Sequence, residues 1–147
     1  MKIATQEEVD KFFLWAINDP EIYPYLTVNK RIFKREIPKD DWEGFMFISD
    51  CGKAFMHIGV NRTKDIEFDI SMWSKSPLLA GRCVKIIEEL IKRYRPTCLD
   101  SCVHSSNARA IKWNRRVLGV EWGIEPKGAW NMLNGEYEDL YHFKRLL

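Results

Sequence analysis

A mixed α/β (α+β) fold, with a mostly antiparallel sheet of six to seven strands and about four helices, is predicted by three features of this 147-residue chain. Residues 44–73 hold three apolar runs separated by short polar turns, the pattern of an antiparallel meander. Residues 84–119 then read as long helix, strand and second helix, the last ended by Gly119. The tail closes in a hairpin centred on Asn134-Gly135, a pair suited to a type I′ turn. At 46% hydrophobic and 13% aromatic residues, the composition is that of a folded chain with one core, so residues 1–147 are read as a single domain.

The elements follow in order. Residues 2–4 can open the sheet as a short strand. Thr5 and Glu8 have the spacing of a capping box, and Val9, Phe12, Phe13 and Ala16 form the apolar stripe of the helix behind it. Asn18-Asp19-Pro20 breaks that helix, and residues 21–26 make a short helical turn. A polar, basic segment runs to Asp41. Strands are expected at residues 44–49, 53–60 and 66–73. In the last of these Ile66, Phe68, Ile70 and Met72 alternate with Glu67, Asp69 and Ser71, as a half-buried strand requires. Residues 74–81 read as a loop into a helix carrying Val84, Ile87, Leu90, Ile91 and Tyr94 on one face, stopped at Pro96. Residues 97–103 form a strand, and Ser105 and Ser106 stand where a cap for the next helix is needed.

With 23 basic and 21 acidic residues the chain has a net charge of +2, too small to argue for or against nucleic acid. The local clusters Lys30, Arg31, Lys34, Arg35 and Lys112, Arg115, Arg116 read first as solvated faces and second as phosphate patches. Cys51, Cys83, Cys98 and Cys102 form no Cys-x-x-Cys pair, so no metal site is expected and buried free thiols are. Neither a signal-peptide core nor an apolar run of about 20 residues is visible, so a cytoplasmic protein without membrane contact is expected.

Residues 107–119 read Asn-Ala-Arg-Ala-Ile-Lys-Trp-Asn-Arg-Arg-Val-Leu-Gly. Asn, then Ala three residues on, an aromatic, and Leu-Gly at the end resemble the second signature of the GNAT superfamily of N-acetyltransferases. The element order is similar to that family's over nearly the whole chain. The resemblance implies a splayed sheet, acetyl-CoA as cofactor, and transfer of an acetyl group to an amine of a small molecule or protein by direct attack. It also implies a pyrophosphate loop before the long helix, patterned Gln/Arg-x-x-Gly-x-Gly/Ala. That pattern falls on Leu78, Gly81 and Cys83, of which only Gly81 matches. Met72, Trp73, Leu79, Ala80, Gly81, Arg82, Cys83 and Asn107 are the cofactor-binding residues the resemblance implies, with Arg82 and Lys75 as sources of charge.

The resemblance places the catalytic base among the fourth-strand carboxylates, Asp69 ahead of Glu67 because it is nearer the cofactor end. His104, at the end of the fifth strand, is a second proton carrier. An ordinary solvent-facing alternation accounts for Glu67 and Asp69 equally well, and a corner histidine or a helix-start asparagine accounts for His104 or Asn107. Where the family has an acidic Tyr, this chain has Asn114, which cannot act as an acid. Tyr137 and Tyr141 are substitutes by chemistry alone, and Gly119 arrives one residue late. These departures define the alternatives. One is a catalytically degenerate binding protein similar to bacteriophage accessory or virion-associated proteins. The other is a transferase acting on nucleic acid, with the 30–35 cluster at its acceptor lip. A monomer or a homodimer fits either reading.

Overall fold

The computed structural model describes residues 1–29, 36–39, 43–63 and 65–147. The basic cluster at Lys30, Arg31, Lys34 and Arg35 lies outside the described residues, as do Asp41 and Trp42. The elements are β1 (Lys2–Ile3), α1 (Gln6–Ala16), a 3-10 turn (Tyr23–Tyr25), β2 (Gly44–Ile48), β3 (Ala54–Asn61), β4 (Glu67–Ser74), α2 (Pro77–Tyr94), β5 (Cys98–His104), α3 (Ala108–Leu118), β6 (Glu121–Asn131) and β7 (Glu136–Leu146). Among the described residues there are three α-helices and one 3-10 turn, which meets the expectation of about four helices only if the single turn is counted.

All seven strands join one sheet in the order β1-β2-β3-β4-β5-β7-β6. Every neighbouring pair is antiparallel except β4 and β5, which run parallel. That parallel ladder is short, pairing Glu67 with Cys98, Phe68 with Leu99 and Asp69 with Asp100. Beyond Asp69 and Asp100 the two strands part. β4 continues to Ser74 along β3, and β5 continues to His104 along β7. In the gap, alternate backbone N–H and C=O groups of β4 turn away from β3 and have no strand partner among the described residues.

Each face of the sheet has its own core. Phe47, Met56, Ile58, Phe68, Ile70, Leu99, Val103 and Phe143 pack under α2 and α3 through Cys83, Ile87, Leu90, Ile111, Val117 and Leu118. On the opposite face Met46, Ile48, Phe55 and Trp73 are covered by Val9, Phe12 and Ala16 of α1, with Ile22 and Leu26. Phe55 stacks on Phe12 at 5.2 Å and on Trp73 at 5.8 Å. Past Phe55 and Trp73 this second face changes character. The next outward residues are His57, Ser71 and Asp69, with register pairs His57 to Ser71 and Gly59 to Asp69. A polar floor therefore begins where α1 ends.

The local signals explain most element ends. The capping box of α1 is present, with the Thr5 N–H donating to Glu8 Oε2 at 3.0 Å and the Glu8 N–H to Thr5 Oγ1 at 3.3 Å. Arg95, left-handed at φ 48°, caps α2 just before Pro96. Gly119, at φ 97°, ends α3, a conformation that favours glycine. Three expectations need correction. The cap of α3 is Asn107, whose Oδ1 accepts from the Ala110 N–H at 3.1 Å, because Ser106 is engaged elsewhere. The β6–β7 connection is a four-residue loop, 132–135, because Asn131 Oδ1 accepts from the Leu133 and Asn134 N–H groups and widens the turn. Of the cysteines, Cys83 and Cys98 are buried, whereas Cys51 and Cys102 are exposed.

The chain between α1 and β2 is tied to the rest by Asp19. Burial pushes its carboxyl up, but the Lys75 ammonium at 3.1 Å and the Glu21 and Ile22 N–H groups outweigh it and hold the group below the usual carboxylate value. The folded pKa is therefore lower than the unfolded one. The resulting stability is present above the ordinary carboxylate range, about pH 4, and is lost as pH falls through the lowered value. Asp19→Asn is expected to cost about 1 kcal/mol at neutral pH, solvent screening of the half-exposed Lys75 keeping the figure small. The gap between wild type and variant should close as thermal melts move from pH ~6 to pH ~2.

Candidate functional site

The gap between β4 and β5 opens into two cavities. The larger, about 1210 Å³, runs between the start of α2 and the face of α3 and includes Ser76, Pro77, Ala80, Gly81, Val84, Lys85, Lys112 and Arg116. The smaller, about 520 Å³, lies over the polar floor and includes Thr27, Glu36, His57, Asp69, Ser71, Cys102, His104 and Asn114. They share Tyr25, Met72, Trp73, Asn107, Ala110 and Trp113, so the two cavities meet in the mouth of the split.

The large cavity suits a long, anionic ligand. Lys85, Lys112 and Arg116 make no ion pair among the described residues, whereas Arg109 is held by Glu21 at 3.0 Å. Trp113 joins its two walls by donating from Nε1 to the Ala80 carbonyl at 3.3 Å. Asn107 spends its Oδ1 on the helix cap, which leaves its Nδ2 donors at the cavity junction without a partner among the described residues. Met72 and Trp73 line this cavity from the part of β4 that stays paired with β3 but has left β5.

The presumed loop at 74–81 is different. Ser76 accepts from the Leu79 N–H through Oγ at 3.4 Å, and Pro77 occupies the first helical position, so α2 starts well before Gly81. Leu79, Ala80, Gly81, Arg82 and Cys83 are helical residues, with their N–H groups largely taken up by the helix and its cap. Only the Leu78 N–H of the first turn is without a partner among the described residues. Ala80 and Gly81 face the cavity. Cys83 is wholly buried against the sheet, where desolvation pushes its thiol up to about 11, and Leu79 and Arg82 lie outside both linings. Lys75 is committed to Asp19 and Glu21. A Cβ on Gly81 would meet nothing within 4 Å. Gly81→Ala is therefore expected to stabilise the fold by about 0.5–1 kcal/mol, read as a melting temperature a few degrees higher.

The two fourth-strand carboxylates part company. Asp69 is the last residue of β4 paired with β5 and lines the small cavity. Glu67 stands two residues back, beside Cys98 and Asp100 where the strands are still joined, and lines neither cavity. His104 is placed at the junction's edge but presents no unoccupied nitrogen. Its Nε2 lies 2.9 Å from the Thr27 carbonyl oxygen and its Nδ1 2.9 Å from Glu138 Oε1, both acceptors. The ring is 4% exposed and acts as a strut between the 3-10 segment and β7. Glu138 also accepts from Ser106 Oγ at 2.9 Å and from Asn131 Nδ2 at 3.5 Å. Asn114 donates from Nδ2 to the Ala110 carbonyl at 3.0 Å, and its buried Oδ1 has no donor among the described residues. Tyr137 and Tyr141 line neither cavity.

Sequence reasoning missed Tyr25, Thr27, His57 and Glu138. For His57 a signal existed, since Phe55, His57 and Gly59 alternate onto one face, where apolar residues give way to polar ones. Tyr25 and Glu138 reach the site only through tertiary contacts.

No protein-family model matches the chain, and no curated protein matches it in sequence. Solved structures match in fold. A ribosomal-protein-alanine N-acetyltransferase from Brucella melitensis is similar at TM-score 0.71 and 16% identity, over 99% of this chain and 98% of that one. An N-acetyltransferase from Staphylococcus aureus Mu50 is similar at TM-score 0.70 and 17% identity, over 99% and 96%. An acetyltransferase of the GNAT family from Streptococcus pneumoniae is similar at TM-score 0.56 and 19% identity, over 74% and 70%. With its sheet split at the single parallel junction and a helix flanking each side of the split, the chain has the fold of the GNAT N-acetyltransferases.

Proposed function

We propose that this chain is an acetyl-CoA-dependent N-acetyltransferase acting on an amine. The observation that carries this reading is the split itself: a long cavity with free cations on one side meets a polar cavity holding a carboxylate on the other. Acetyl-CoA supplies an activated acyl group and a thiol leaving group. The residues fit it: Lys85, Lys112 and Arg116 offer charge for phosphates, and the unpaired edge of β4 and Asn107 Nδ2 offer donors for the amide-bearing arm. The motif's cluster of loop amides is missing, so binding depends on these cations more than on a backbone cradle. Asp69 removes a proton from the amine, directly or through water, before attack. A backbone N–H on the β4 edge released from β5 would stabilise the oxygen that gains charge as the amine adds.

Calorimetric titration with acetyl-CoA tests the reading. Saturable binding is expected, and Lys112→Ala with Arg116→Ala should weaken it at least tenfold, one charge-assisted hydrogen bond contributing about 1.5 kcal/mol. Absence of binding at millimolar acetyl-CoA would sink the proposal. For the acceptor, an alanine-initiated peptide, after the Brucella neighbour's name, and a polyamine sample the α-amino and alkylamine classes.

A further inference from the structure

We infer that Tyr25 is the proton donor to the departing thiol, in place of the tyrosine that Asn114 displaces on α3. The inference rests on the acetyltransferase reading. The thioester must lie where the two cavities meet, because the acyl carbon has to be reached from the amine side while the rest of the cofactor occupies the other. The residues common to both linings are Tyr25, Met72, Trp73, Asn107, Ala110 and Trp113. Tyr25 carries the one hydroxyl among them, and the phenol is the one side chain of the six able to give up a proton in catalysis.

The surroundings hold Tyr25 in place. Trp73 Nε1 donates to the Tyr25 carbonyl at 3.0 Å, and Pro24 stands just before Tyr25 inside the 3-10 turn, so the backbone is fixed from two sides. The ring meets His104 edge-on at 5.4 Å between centroids. The phenol oxygen lies 3.3 Å from Ser106 Oγ and 3.4 Å from the Ser106 carbonyl oxygen. Ser106 Oγ has a single hydrogen and two acceptors, Glu138 Oε1 at 2.9 Å and the phenol oxygen. While the phenol is neutral, the shorter contact to the carboxylate holds that hydrogen. A phenolate is the stronger acceptor and draws it across. Glu138 then relies on His104 Nδ1 and Asn131 Nδ2. Ser106, Glu138 and His104 are thus positioning residues, which accounts for a histidine whose two ring nitrogens are both spent inside the protein.

The N–C bond to the acetyl group forms and the C–S bond breaks. Sulfur leaves with the bonding pair and takes the Tyr25 phenol hydrogen. The proton lost by the amine passes through Asp69 to solvent, and the phenolate recovers one from solvent water.

The first arm of the test needs no acceptor. Coenzyme A thiol is bound to wild type and to Tyr25→Phe, binding is checked by calorimetry, and thiolate absorbance in the ultraviolet is followed against pH. A phenol donating to sulfur stabilises the thiolate, so the wild-type midpoint should lie about one pH unit below that of the variant, a tenfold change in ionisation constant. Tyr25→Phe should keep coenzyme affinity within about twofold. With any amine that the wild type acetylates, the variant should lose about 10²-fold or more in kcat with acetyl-CoA, and far less with an acetyl thioester of an acidic thiophenol, whose leaving group needs no proton. Equal midpoints in the two proteins, or equal losses with both thioesters, overturn the assignment of Tyr25. Failure of the wild type to bind coenzyme A overturns the acetyltransferase reading itself, a different and separately visible result.

Discussion

Asp69→Asn is expected to slow acetyl transfer by about 10²–10⁴-fold while leaving acetyl-CoA affinity within about twofold. The substitution keeps the shape of the side chain and its place at the last joined residue of β4, so neither register nor cavity should change. What it removes is a group that can accept a proton. Glu67→Gln is the matched control. It changes the same chemistry on the same face of the same strand, but two residues behind the split, and should leave kcat within about twofold. Steady-state kinetics of the two variants beside calorimetry of acetyl-CoA binding separate a lost base from a disturbed site. An Asp69→Asn enzyme with wild-type turnover would remove Asp69 from the chemistry.

Glu138→Ala is expected to destabilise the fold by about 3 kcal/mol, because it leaves two donors of buried residues, His104 Nδ1 and Asn131 Nδ2, without their acceptor. Its carboxylate is the shared acceptor for His104, Ser106 and Asn131, and His104 and Asn131 are themselves buried. Without it His104 Nδ1 faces no partner, and the strut that holds the Thr27 carbonyl loses its footing. A melting temperature lower by roughly 6–12 °C should follow for a chain of this size. Glu138→Gln keeps an oxygen for Ser106 and should lose clearly less. A Glu138→Ala protein melting within about 2 °C of the wild type would show that the pair contributes nothing.

The fold was legible where the signal is local. Alternation set β2, β3 and β4, the Thr5–Glu8 pair set the start of α1, and Gly119 set the end of α3. The start of α2 was also written in the chain, as Ser76 followed by Pro77, a cap and a first-turn proline. Reading those residues as a loop placed Leu79, Arg82 and Cys83 beside the ligand, whereas the helix turns them away from both cavities and leaves Ala80 and Gly81 facing the larger one. Choosing between Glu67 and Asp69 was beyond alternation, which treats them alike. The register decides, because the β4–β5 ladder stops at Asp69, and register is a tertiary property. Tyr25 and Glu138 were invisible for the same reason, being bonded to Ser106 across 81 and 32 residues of chain.

The brevity of the β4–β5 ladder has a thermodynamic side. Seven strands are cut into a set of four and a set of three, stitched by three residue pairs and by the helices laid across them. A molecule threaded through the split would act as an additional stitch, resisting the parting of the two halves without touching either core. Resistance to heat and to amide exchange along Ile70–Ser74 and Ser101–His104 should then follow ligand occupancy, with about 2.7 kcal/mol gained at a hundred times Kd. In that sense the place where the sheet is least bonded is where a bound molecule has the greatest leverage over its cohesion.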